Sequence, residues 1–116
     1  MPIYFSRVRA ILDGAGARWK ERTGRPPQLF RHDASFGWRT RDALLNSTAR
    51  GLPLITAENI SQRTGATSNL VVALKTGVAG FQRMPLGGPF LDAPEIQEII
   101  DWIDGGALDV PKSSGP

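Results

Sequence analysis

Asp92-Ala93-Pro94-Glu95-Ile96-Gln97-Glu98-Ile99-Ile100-Asp101-Trp102-Ile103-Asp104-Gly105-Gly106 decides the fold class. Asp92 has the short carboxylate an N-cap needs, and Glu95 three residues on completes a capping box. Pro94 is tolerated in the first turn, where its missing N–H has no partner to lose. Ile96, Ile99, Ile100 and Ile103 recur at the helical period and form one apolar stripe. Gly105-Gly106 supplies a residue able to turn left-handed at the end. The stretch therefore predicts an amphipathic helix over 92–104.

Working outward, Tyr4, Phe5, Val8, Ile11 and Leu12 lie on one helical face, with Gly14 expected to stop that helix. Thr40 to Ala49 predicts a short helix with Leu44 and Leu45 inward and Gly51 as its stop. Thr56 to Gln62 predicts a weaker one. Ser68 to Thr76 has Ser68 as cap, Leu70, Val71 and Leu74 inward, and Gly77 as stop. No window alternates apolar and polar residues, so the fold class is all-α, with about four to five short helices. Two long loops separate them, Gly14 to Trp38 and Gly77 to Leu91. The domain is read as residues 1–110, with 111–116 a frayed tail.

The chain has 116 residues, 41% hydrophobic and 22% charged, which fits one globular domain with a real core. It has no cysteine. Disulfides, thiolate metal sites, iron–sulfur clusters and thioether-linked haem are therefore excluded. No stretch approaches the roughly 20 apolar residues of a membrane span. Met1 to Arg7 lacks the pattern of an export signal, so with Met1 as the native start the expected location is cytoplasmic.

Charge is unevenly placed. Residues 1–50 hold ten Lys/Arg against four Asp/Glu, while 92–109 hold six acidic residues and no basic one. Arg18, Arg22, Arg25, Arg31, Arg39 and Arg41 crowd one stretch. They can pair with an acidic protein partner, or within the fold with Glu21, Asp33, Asp42 and the acidic C-terminal helix. No Lys/Arg run accompanies them, which speaks against nucleic acid. Catalytic patterns are scarce: the chain has no nucleophile elbow, no phosphate loop and no paired-histidine motif.

Arg83-Met84-Pro85-Leu86-Gly87-Gly88-Pro89-Phe90-Leu91, followed by the capped helix and Trp102-Ile103-Asp104-Gly105-Gly106-Ala107, resembles the C-terminal part of a class I cytochrome c domain. Val8-Arg9-Ala10-Ile11-Leu12 is similar to the run that precedes haem attachment in that family. The resemblance covers most of residues 3–107, strongly over 68–107 and loosely over 13–66. It implies a bundle whose N- and C-terminal helices cross, and a methionine, here Met84, as axial haem ligand. The family's Cys-x-x-Cys-His has no counterpart. By spacing its slot falls near Gly16-Ala17-Arg18-Trp19-Lys20, with Lys20 where the proximal histidine would be. Covalent haem is thus excluded. Haem held without thioethers would need Met84 with His32, the only histidine, or Lys20; the bland readings are a core plug for Met84 and a solvated loop residue for His32, which beside Asp33 could also be an oriented base.

A haem-sized void would be costly, so something must fill it. Trp19, Phe30, Phe36 and Trp38 are bulky aromatics in or beside the first long loop. They are expected to fold inward in place of the porphyrin, or to line a pocket for another flat ligand. On the filling reading, removing Trp19 lowers the melting temperature sharply. The resemblance implies a haem-free, non-catalytic domain that works as an accessory or small subunit of a larger redox enzyme. The alternative is a small-ligand-binding protein or enzyme using the former haem cleft, with non-covalent haem as one occupant.

Overall fold

The structure, a computed structural model, describes residues 3–24, 37–49, 51–77, 84 and 89–109. It is mostly helical. In chain order the described elements are α1 (Phe5–Thr23), α2 (Arg41–Leu45), β1 (Thr48–Ala49), β2 (Leu52–Pro53), α3 (Ala57–Ser61), a 3-10 turn (Gly65–Thr67), α4 (Asn69–Lys75) and α5 (Ala93–Asp104).

α5 forms where its sequence signals place it. The Asp92 carboxylate accepts from the Glu95 N–H at 2.9 Å, and the Asp92 N–H donates to Glu95 Oε1 at 3.2 Å. Ile96, Ile99, Ile100, Trp102 and Ile103 are buried. At the far end Gly105 keeps an ordinary φ, and the left-handed conformation falls on Gly106 (φ 105°) and Ala107 (φ 53°). α4 also starts at its expected cap, and α3 begins after Thr56, whose capping role the sequence reading does not assign. Thr56 and Asn59 form a reciprocal capping box, and the Ser68 hydroxyl accepts from the Val71 N–H.

α1 differs from the expectation. It does not stop at Gly14 but runs through Gly14 and Gly16 to Thr23, where Gly24 (φ 73°) donates its N–H to the Lys20 carbonyl at 2.7 Å. An interior glycine costs a helix about 1 kcal/mol, whereas Phe5, Val8, Ile11, Leu12 and Ala15 bury a continuous face that carries the helix past it. The first part of the expected loop, Gly14 to Thr23, is therefore helix. α2 is shorter than predicted and ends at Leu45. Asn46 caps it and turns its side-chain amide back to the Asp42 carbonyl at 2.9 Å. The next residues form a two-residue antiparallel pair, Thr48 opposite Pro53 and Ala49 opposite Leu52, turning through Gly51 (φ 80°). Asn, Ser and Thr in series compete with helix through their side chains, and that favours the turn.

The core joins α1, α4 and α5, with Leu44, Leu54, Ile55 and Leu91 from the other segments. α1 and α5 pack against each other: the Phe5 and Trp102 ring centroids are 6.0 Å apart and tilted by 48°. The Phe5 N–H and the Trp102 indole N–H both donate to the Leu108 carbonyl, each at 2.8 Å. Arg41 Nε donates to the Ala107 carbonyl. One short segment after α5 thus ties down α1, α2 and α5 together. The 3-10 turn meets α5 at Gly65, whose N–H donates to Asp104 Oδ1 at 2.8 Å. No buried side-chain nitrogen or oxygen among the described residues lacks a partner.

Candidate functional site

The residues singled out by sequence divide by element. Arg18, Trp19, Lys20 and Arg22 stand on the last turns of α1, so the stretch compared with the haem-attachment slot is continuous helix and not loop. Trp38 and Arg39 lie just ahead of α2, and Arg41 is its first residue. Arg25, Phe30, Arg31, His32 and Phe36 lie outside the described residues, as do Asp33, the tail 110–116 and most of the Gly77–Leu91 loop. Met84 is half-buried and its N–H donates to the Ala73 carbonyl at 2.8 Å, fixing this point of the loop against α4.

Trp38 is the described aromatic of the first loop that packs against the core. Its indole N–H donates to Asp13 Oδ1 at 2.8 Å, which seats the ring beside the middle of α1. The preceding residue is fastened as well. The Gly37 N–H donates to the fully buried Ser47 hydroxyl at 2.9 Å, and that oxygen lies 2.7 Å from the carbonyls of both Gly37 and Ala43. Trp19 is half-exposed and does not join the core cluster. Trp38→Ala is accordingly expected to cost about 1–2 kcal/mol, or roughly 5–10 °C in melting temperature, and Trp19→Ala less; paired thermal melts check the order.

The arginines are partly committed within the fold. Arg18 reaches Glu95 at 3.3 Å, Arg41 reaches Asp42 at 3.1 Å, and Arg7 makes a two-pronged contact with Glu98, the closest approach being 2.8 Å. Two of these three pairs join basic α1 to acidic α5. Hydrogen bonds from Arg7 hold the Glu98 carboxyl below its ordinary value; desolvation opposes them, the Arg7 charge adds to the lowering, and the Asp92 charge works against it. A folded-state value below the unfolded one stabilises the fold above the ordinary carboxylate pKa. That contribution is lost as pH falls through the folded value. Arg7→Gln should therefore move the Glu98 titration upward, followed by side-chain carboxyl NMR, and make the acid limb of the stability profile shallower.

The sequence reading missed Asp13, the residue that anchors Trp38. Its partnership with Arg9 (3.6 Å, four residues apart) was visible as a helical spacing, but its contact with Trp38 spans 25 residues. An open cleft of about 290 Å3 lies elsewhere, between the end of α4 and α5, lined by Lys75, Thr76, Leu91, Ala93, Ile96, Gln97 and Ile100. Among the described residues there is no cluster of three or more His, Asp or Glu that could hold a metal ion. Among them, too, no helix is long and apolar enough to cross a membrane.

The described residues do not fit covalently held haem: the chain has no cysteine, and the slot in question is a helical turn tied to α5 through Arg18 and Glu95. Comparison with family models, with curated proteins and with solved structures found no match to this chain.

Proposed function

We propose that this chain is a haem-free, cytochrome c-like domain that acts without catalysis, as an accessory or small subunit bound to a larger redox enzyme. The observation that carries the reading is the packing of α1 on α5, with Phe5 against Trp102. α5 lies in the stretch over which the sequence resemblance is strong, and α1 holds the run similar to the one that precedes haem attachment. Two further features support it. The chain lacks both thiols of the attachment motif, and Trp38, anchored by Asp13, packs on the core from the stretch where a porphyrin replacement was expected. A protein that has lost its cofactor keeps value as a shaped surface, and this one is rich in arginine, the side chain best suited to fixed carboxylate contacts.

A second reading, a small apolar ligand in place of haem, draws on the cleft beside α5, whose floor is Leu91, Ile96 and Ile100. One experiment separates them. The purified chain is mixed with stoichiometric haemin, desalted, and its absorption spectrum and elution volume are recorded alone and with candidate enzyme subunits. The accessory reading expects no retained Soret band and a shift in elution volume with the partner. A retained Soret band that weakens in Met84→Ala would overturn it in favour of a haem protein held without cysteines.

A further inference from the structure

α1 carries two basic stripes, and they do different things. Arg7 and Arg18 are eleven residues apart and share one side, where Glu98 and Glu95 of α5 neutralise them. Arg9 and Lys20 are also eleven residues apart, with Asp13 between them, and lie about 160° around the helix from the first pair. All three are exposed. Neither glutamate of α5 paired above is spent on this second stripe; its own carboxylate is Asp13, shared between Arg9 at 3.6 Å and the Trp38 indole at 2.8 Å. Arg39, exposed, follows Trp38 directly in the chain. The result is one carboxylate shared by Arg9 and a half-buried indole, with Lys20 two turns further along the same side of α1 and Arg39 next to Trp38 in the chain.

We infer that the surface formed by Arg9 and Lys20 of α1 together with Trp38 and Arg39 ahead of α2 is the docking surface for an acidic segment of a partner protein. The inference deepens the accessory-subunit reading and rests on it for the existence of a partner. Charge complementarity names the occupant. A glutamate- or aspartate-rich segment would meet Arg9, Lys20 and Arg39, and an apolar residue within it would rest on the exposed part of the Trp38 ring. Asp13 fixes the ring and keeps the site from being uniformly positive, which disfavours a phosphate backbone relative to a mixed acidic and apolar peptide. Aromatic and arginine side chains gathered in one place are also the composition that dominates binding energy at protein interfaces.

The test uses the whole chain and a short synthetic peptide of glutamates with one central phenylalanine, titrated at low salt and followed by NMR. The expected result is movement of the Trp38 indole N–H signal and of the amides around Arg9 and Lys20. Arg9→Gln with Lys20→Gln should weaken binding about tenfold, and the difference should shrink as salt is added. Arg63→Gln with Lys75→Gln, both away from this surface, should leave the affinity as it was. Thermal melts of both double variants establish that the fold is retained. Equal loss in the two double variants, or shifts spread evenly over the molecule, would overturn the assignment. So would tighter binding to a single-stranded oligonucleotide of the same charge. An enzyme subunit that binds the wild type and Arg9→Gln/Lys20→Gln equally would overturn this surface while leaving the accessory reading intact. A haemin-binding result with the peptide shifts unchanged would remove the accessory reading and leave the surface standing.

Discussion

Trp102→Ala is expected to cost about 3–5 kcal/mol, a large part of the stability of a domain this size. The side chain is fully buried, faces the Phe5 ring across the α1–α5 contact and donates its indole N–H to the Leu108 carbonyl. Its removal leaves a cavity at the junction of both terminal helices and takes one of two donors from that carbonyl. Trp102→Phe separates the contributions, since it keeps most of the apolar volume and loses the hydrogen bond. Denaturant unfolding of the two variants should show the alanine far below the phenylalanine, with the phenylalanine about 1–2 kcal/mol below wild type. Equal losses would mean that the hydrogen bond, and not the packing, holds α5 to its C-terminal segment.

Gly65→Ala should be the most damaging single-carbon addition among the described residues. A Cβ placed on Gly65 would lie 2.9 Å from Ile103 Cβ and 3.0 Å from both the Ile100 carbonyl oxygen and Asp104 Oδ1. The first two contacts are with a branch point and a backbone atom, which cannot swing aside as the tip of a long side chain can. The 3-10 turn would have to lift off α5, weakening the Gly65 N–H bond to Asp104 as it goes. A loss of about 1–3 kcal/mol is expected, with faster amide exchange at Gly65 as the local signature. Gly51→Ala makes a useful contrast. Nothing lies within 4 Å of a Cβ there, and its cost comes only from the left-handed backbone, φ 80°.

The parts of the fold legible in the sequence are those whose causes are local. Asp92 and Glu95, Thr56, and Ser68 are caps whose partners lie three residues away, so helix starts can be read from the chain alone. The extent of α1 could not be read this way. Whether Gly14 ends a helix or sits inside one depends on what Ile11, Leu12 and Ala15 bury against, and much of that partner surface lies some 80 residues further on. α2 ends earlier than its apolar pattern predicts for a local reason: Asn46, Ser47 and Thr48 offer the backbone side-chain partners, as in the Asn46 amide bond to the Asp42 carbonyl. The candidate site was legible in composition and not in arrangement. The crowding of arginines was plain, yet its division into a stripe spent on α5 and a stripe facing away needs the crossing of α1 and α5. The anchoring of Trp38 by Asp13 is likewise a contact between segments.

The knot after α5 also bears on how the chain comes to be folded at all. The Phe5 amide, at the very start of α1, finds its hydrogen-bond acceptor on Leu108. During synthesis the segment of α1, with Phe5, Val8, Ile11 and Leu12, emerges well before α5, which covers that face in the folded chain. Closure over so many intervening residues carries a loop-entropy cost. Until translation reaches the last helix, that greasy face is available to chaperones, to membranes or to other nascent chains.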